Sequence, residues 1–196
     1  MAVTPWLLVD YGEVISRPPE RRIRDDLAAR IGLEPQLLAD RYWEHRAAFD
    51  AGLSSTEYWS AVADRELAQA DVADLVAADR DSWAVLDPDM IDLLDELRAD
   101  GVRLALLSNA PHWQADAFDE LAWTSVFEQK FVSARLGLSK PDPAIFEHVL
   151  AELDVPAGDV TFVDDRQANV DGAASVGIRA IRFTGVADLR AALDFP

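Results

Sequence analysis

The chain begins with a short unbroken apolar run, Trp6-Leu7-Leu8-Val9, which stops at Asp10 and the turn-forming Gly12. A run of that length bounded by turn signals predicts a buried strand with an acid at its carboxyl end. From Pro18 and Pro19 the apolar positions fall at helical spacing. Ile23, Leu27 and Ile31 line one helix that stops at Gly32, and Leu37, Leu38, Tyr42 and Phe49 mark a second that ends near Gly52. Ser54 or Ser55 caps a third, with Glu57 placed for a capping box and Tyr58, Trp59 and Val62 on its apolar face. Val72, Leu75, Val76 and Trp83 predict a fourth, so residues 16–86 read as all-helical. After Pro88 helices and strands alternate: a helix over 90–99, a strand over 102–107, a helix over 111–121, a strand over 127–133, a helix over 143–153, a strand over 159–163, a helix ending near Gly177, a strand over 178–183 and a helix over 186–193. Alternation of this kind implies right-handed crossovers and a mostly parallel sheet with helices on both faces. The predicted organisation is an α/β core of residues 1–15 and 87–196, interrupted after its first strand by a helical insert, 16–86.

Composition narrows the partners. The 196 residues carry 36 acidic and 18 basic side chains, a formal charge of −18. Nucleic acid and anionic membrane surfaces are disfavoured, because both are bound by clustered Lys and Arg. A small phosphorylated substrate is not, since a metal ion and a few local cations override the mean field. There is no Cys, so neither a disulfide framework nor a thiolate metal site is available. The first apolar run is too short for a signal peptide or a spanning helix, and the expected location is the cytoplasm. Only two of the basic residues are Lys, Lys130 and Lys140.

In open α/β sheets ligands sit outside the carboxyl ends of the strands. The residues predicted there are Asp10, Ser108 with Asn109, and Asp164 with Asp165, while Lys140 precedes a helix on the same rim. Taken singly, each has an ordinary structural role: a turn Asp, a Ser-Asn helix cap, a loop Lys, an acidic pair favouring a helix dipole. Together they place a carboxylate, a hydroxyl, an ammonium and an acidic pair around one mouth.

The order and spacing of four segments resemble the haloacid dehalogenase-like hydrolase superfamily over nearly the whole chain. The segments are Leu7-Leu8-Val9-Asp10-Tyr11-Gly12-Glu13-Val14-Ile15, Leu106-Leu107-Ser108-Asn109, Ser139-Lys140-Pro141-Asp142-Pro143-Ala144-Ile145-Phe146 and Phe162-Val163-Asp164-Asp165-Arg166-Gln167-Ala168-Asn169. The insert, with Gly52-Leu53-Ser54-Ser55-Thr56-Glu57-Tyr58-Trp59, is similar to the family's helical cap. The resemblance implies a Rossmann-like parallel sheet with that cap, and a Mg²⁺-dependent phosphatase acting on a small phosphorylated metabolite. Asp10 would be the nucleophile, forming an aspartyl-phosphate. Asp10, the carbonyl of Gly12 and Asp165 would hold Mg²⁺, with Asp164 direct or behind them. Ser108, the amide of Asn109 and Lys140 would hold the phosphoryl oxygens, Lys140 also screening Asp10 from the acidic pair.

One position departs from the pattern. The usual phosphatase has a second Asp two residues after the nucleophile, as general acid and base; here that residue is Gly12. Strand alternation would turn Glu13 away if the backbone stayed extended, and Glu44 and His45 on a cap helix are further candidates whose plainer reading is a solvent-facing side. Two alternatives stand beside the phosphatase: a metal-independent 2-haloacid dehalogenase, whose branch lacks the acidic pair, and a non-catalytic member that binds a phosphometabolite or a protein. His112 and Trp113 read as a helix start first and pocket lining second, His148 as structural, and Trp43, Trp59 and Trp83 mostly as cap core, with one of them a candidate to face the substrate.

Overall fold

The computed structural model describes residues 5–18 and 21–193, with residues 21–24 described by their backbone alone. Five strands, β1 (Trp6–Val9), β2 (Arg103–Ser108), β3 (Gln129–Val132), β4 (Val160–Asp164) and β5 (Arg179–Arg182), form a parallel sheet in the order β3-β2-β1-β4-β5. The chain builds outward from β1 to β3 and then returns to lay β4 on the other side of β1. The order therefore reverses between β1 and β4, which is where such sheets open a crevice. Val9 pairs with Val163 of β4, and the amide of Asp10 donates to the Val163 carbonyl at 3.0 Å. Asp10 and Asp164 thus emerge side by side at that reversal.

Strand alternation sorts the core into two layers. Leu7, Val9, Leu104 and Leu106 face one side, against Met90, Leu93, Leu94 and Leu97 of α5 (Pro88–Ala99), Phe118 of α6 (His112–Glu120) and Leu189 of α10 (Val186–Ala192). Trp6, Leu8, Ala105 and Leu107 face the other, against Ile145, Phe146 and Val149 of α8 (Pro143–Leu153) and Ala173 of α9 (Gln167–Ser175). Both faces are apolar, so the strands read as continuous hydrophobic runs.

Between β1 and β2 lies the helical insert: α1 (Arg21–Ile31), α2 (Pro35–Asp50), α3 (Ser55–Ala63) and α4 (Gln69–Trp83). It has its own apolar centre, in which Leu27, Ile31, Leu38, Phe49, Tyr58 and Trp59 are buried together and Phe49 stacks on Tyr58 at 4.0 Å. Ser54 is the N-cap of α3, in a capping box with Glu57. The expectations at Pro19 and at the Ile23 side chain lie outside the described residues, and Leu37, expected on the apolar face, is exposed. The chain enters and leaves the insert side by side: the Arg17 amide donates to the Val85 carbonyl and the Asp87 amide to the Ile15 carbonyl, each at 2.8 Å.

Most boundaries differ from the sequence reading by one or two residues, and those around β3 have a visible cause. The strand expected over 127–133 is β3, Gln129–Val132; a 3-10 turn, Ala122–Val126, precedes Phe127, and Ser133 opens a short helix, α7 (Ser133–Leu136). Ser133 is drawn out of the strand because its hydroxyl accepts from the Ala110 amide at 2.9 Å and donates to the carbonyl of Asp50 in α2. No helix among the described residues is long and apolar enough to cross a membrane.

The loop that carries Lys140 is pressed against α9 at Gly172. A Cβ there would lie 2.4 Å from the Pro141 carbonyl oxygen and 3.1 Å from the Phe146 ring. Gly172→Ala is therefore expected to cost about 1–3 kcal/mol, as overpacking of a backbone contact does, read as a lowered urea midpoint. An unchanged midpoint would show that the loop yields without strain.

Candidate active site

Lys140 is buried at the centre of the crevice. Its Nζ donates to Asp10 Oδ1 at 2.8 Å, to Asp164 Oδ2 at 2.7 Å and to the Leu107 carbonyl at 2.9 Å. Burial works against its charge, but the two carboxylates outweigh burial and raise its pKa. An ammonium has three protons, and all three are used within the protein. The proton that the sequence reading directs at a phosphoryl oxygen is donated here to the Leu107 carbonyl.

Asp10 is held asymmetrically. Oδ1 accepts from Lys140 and from the Tyr11 amide at 2.7 Å, while Oδ2 accepts none of the described hydrogen bonds. Burial pushes the Asp10 carboxyl up to about 7, opposed by Lys140 and reinforced by Asp164. Asp164 is saturated: besides Lys140 it accepts from the Arg166 amide at 2.8 Å and from Asn169 Nδ2 at 2.9 Å. Asp165 is half-buried, and among the described residues no other side chain is hydrogen-bonded to its carboxylate; burial, then Asp164 and Glu13, raise its pKa. Asp10, Asp164 and Asp165 each present an oxygen within 4.8 Å of the others.

The second strand end supplies Ser108, buried and lining the same cleft, and Asn109. The Asn109 side chain grips the backbone of Lys140, Nδ2 donating to its carbonyl at 2.8 Å and Oδ1 accepting its amide at 2.9 Å. Sequence reasoning had assigned only the Asn109 backbone; the side chain positions the lysine loop.

The cap closes the cleft from above with Trp43, Arg46 and Asp50 of α2 and Trp83 of α4. Arg46 Nε donates to Asp50 Oδ1 at 2.7 Å, and a guanidinium N–H reaches the Tyr42 hydroxyl. Desolvation opposes the charge on Arg46, but Tyr42, Asp50 and Asp79 outweigh it. Burial pushes Asp50 up to about 6, against the pull of Arg46. Glu44 is exposed and His45 half-buried, and neither lines the cleft. The residues that do, Trp43, Arg46 and Asp50, recur at three- and four-residue spacing and so share one helix face. Gln114, on the first turn of α6, also lines the cleft and carried no signal in the sequence.

Gly12 and Glu13 also line the cleft. Glu13 has φ 58°, so the extended backbone stops there, and its side chain stands at the mouth rather than turning away. A Cβ built on Gly12 would lie 3.6 Å from Trp83 Cζ3, so the indole covers the side from which the usual second Asp would project. His112 and Trp113 begin α6 outside the cleft lining, and His148 meets Phe131 edge-on at 6.3 Å. Trp59 is cap core, but Trp43 is 48% exposed and faces the cleft.

The family model of the haloacid dehalogenase-like hydrolases matches residues 10–177. The chain belongs to this family. Among its relatives are Sesquiterpene phosphatase astK of Aspergillus oryzae, 34% identical over 115 residues, 57% of this chain and 59% of that one, and Flavin mononucleotide hydrolase 1 of Arabidopsis thaliana, 29% identical over 91% of this chain and 72% of that one. This hydrolase thus matches less than two thirds of the length of the first. Its fold is shared by a HAD family enzyme of Bacteroides thetaiotaomicron in complex with magnesium and inorganic phosphate, with a TM-score of 0.73 and 20% identity over 92% of this chain and 94% of that one. It is shared also by a dehalogenase with a TM-score of 0.75 and 14% identity over the full length of both.

The buried triad predicts how the hydrolase responds to losing its lysine. Lys140→Met leaves two buried carboxylates without their cation and is expected to cost about 3–5 kcal/mol at pH 8. Burial holds the Asp10 carboxyl well above the usual carboxylate range, so it takes up a proton as pH falls from 8 to 5 and the deficit relative to wild type shrinks. Denaturant titrations of both proteins at the two pH values check this. Equal deficits at both would mean that the Asp10 charge does not set the cost.

Proposed function

We propose that this hydrolase is a Mg²⁺-dependent phosphatase acting on a small phosphorylated metabolite through an aspartyl-phosphate at Asp10. The observation that carries the reading is the asymmetry of Asp10, one oxygen fixed by Lys140 and the Tyr11 amide and the other without a hydrogen bond in a residue that lines the cleft. The free oxygen attacks phosphorus in line as the ester P–O bond breaks. The departing oxygen takes up a proton, and water then cleaves the acyl phosphate and restores the carboxylate.

Three carboxylates gather around the one ammonium of Lys140, a hard-oxygen donor set with an excess of negative charge that suits Mg²⁺. We assign the ion to Asp10, Asp165 and the Gly12 carbonyl, with the saturated Asp164 orienting Lys140 behind them. When bound, the metal would offset charge on the phosphoryl oxygens. The Ser108 hydroxyl and the Asn109 amide would hold the remaining oxygens. Lys140 would add its charge beside them, and Arg46 and Arg166, which also line the cleft, are further cations there. On this reading residues 16–86 act as a lid on the core of 1–15 and 87–196. The names of the relatives, a sesquiterpene phosphatase and a flavin mononucleotide hydrolase, support hydrolysis of phosphate esters with alcohols of varied shape.

Asp10→Asn is expected to abolish hydrolysis of p-nitrophenyl phosphate while the protein stays folded, because an amide nitrogen does not attack phosphorus. Asp165→Ala is expected to lose Mg²⁺ affinity in calorimetric titration, and Asp164→Ala to lose less. Turnover by a folded Asp10→Asn protein, or unchanged Mg²⁺ binding without Asp165, would sink the assignment. Halide release from 2-haloacids without metal would favour the dehalogenase instead.

Without a carboxylate at Gly12, protonation of the leaving group limits the rate. Aryl phosphates are expected to outpace alkyl phosphates by about 10²–10⁴-fold, the usual worth of general acid help. Gly12 does not have positive φ, so its backbone accepts a side chain, and Gly12→Asp is expected to narrow the gap by speeding alkyl esters. A rate independent of leaving-group pKa would mean that another cleft carboxylate, Glu13 or Asp50, already supplies the proton.

A further inference from the structure

A second cavity of about 210 Å³ lies inside the cap, behind the cleft. Leu27 of α1, Leu38, Ala39 and Tyr42 of α2, and Trp83 of α4 give it a mainly apolar wall. Glu13, Trp43 and Trp83 line both spaces, so the cavity adjoins the mouth at which Asp10 opens. A cavity of roughly 150 Å³ takes a benzene ring, so this one has room for a substantial organic group.

Two acidic side chains stand in the wall, Glu13 where the cavity meets the cleft, and Asp79. Asp79 is fully buried; its Oδ1 accepts from the Tyr42 hydroxyl at 2.9 Å, and its Oδ2 has no hydrogen-bond partner among the described residues. The hydrogen bonds that nearby side chains donate go to other acceptors. Ser82 donates to the Asp79 carbonyl rather than its carboxylate, Arg46 to Asp50 and Tyr42, and Trp83 Nε1 to Tyr42. A buried carboxylate oxygen without a donor is costly and calls for a partner.

We propose that this cavity is a subsite for the alcohol part of the phosphate ester, and that it takes a mainly apolar group carrying a hydroxyl or ammonium that donates to Asp79 Oδ2. Only the seating of the phosphate end beside Asp10 rests on the phosphatase reading. The apolar wall selects against heavily hydroxylated alcohols, and the unpartnered Asp79 oxygen selects a donor at a fixed distance from phosphorus.

The test uses n-alkylphosphonates, whose C–P bond the proposed chemistry does not cleave, in a chain-length series ending in methyl, hydroxyl or ammonium. Each is titrated calorimetrically into the wild-type protein with Mg²⁺, and p-nitrophenyl phosphate turnover is measured alongside. At one chain length the donor-terminated ligand is expected to bind about tenfold or more tightly than its methyl counterpart, the effect of one hydrogen bond to a charged group. That ratio, read within each protein so that general effects on the cap cancel, should fall to about one in Asp79→Leu. In Asp79→Asn, which keeps the shape and loses the charge, the ammonium advantage should fall while a hydroxyl advantage persists. No donor preference at any length overturns the subsite, and water alone then meets Oδ2; a preference that survives Asp79→Leu overturns it equally. Donor preference without p-nitrophenyl phosphate turnover keeps the subsite and rejects the hydrolysis.

Discussion

Two carboxylates cannot share a dry crevice without a cation, and the Lys140 ammonium between Asp10 and Asp164 meets that constraint. Much of the surrounding architecture serves to hold one nitrogen there. Asn109 clasps the lysine backbone, Gly172 lets the loop lie against α9, and the Leu107 carbonyl fixes the third proton. The compact, tetrahedral donor pattern of an ammonium fits these acceptors, whereas the planar fork of a guanidinium would not. That gives a physical reason for Lys at this place in a chain whose other basic residues, Lys130 apart, are Arg.

The arrangement also divides labour within the acidic pair. Asp164, with its oxygens satisfied, fixes the lysine; Asp165, half-buried and with no other described side chain hydrogen-bonded to its carboxylate, remains available to a cation. Adjacent residues of one type therefore do different work because the strand ends between them. Asp164 is the last residue of β4 and fully buried, and Asp165 is the first beyond it.

The β-α alternation, the insertion after β1 and the acids at strand ends were legible in the chain, because each leaves a periodic or terminal mark. What escaped was direction. Trp43, Arg46 and Asp50 form a stripe beside the apolar stripe of Leu38, Tyr42 and Phe49, and helical spacing alone does not tell which polar stripe faces a partner domain and which faces water. Glu44 and His45, whose plainer reading is a solvent-facing side, do lie outside the cleft lining on that helix. For Glu13 alternation applies only to an extended backbone, and the chain turns left-handed there. Ser133 read as strand because its pull comes from two distant groups, the Ala110 amide and the Asp50 carbonyl, which no local window contains.

The paired connections between core and insert have a mechanical consequence. Because residues 15–17 and 85–87 are hydrogen-bonded to each other, they define one line rather than two separate tethers. Any swing of the lid about that line is smallest next to it, at Gly12 and Trp83, and grows with distance. The α2 terminus is a separate tie, fastened to the β3 side of the sheet through the Asp50 carbonyl and the Ser133 hydroxyl. A swing of the insert about the paired connections would therefore have to break that one hydrogen bond, which holds the cap more firmly than the two connections alone.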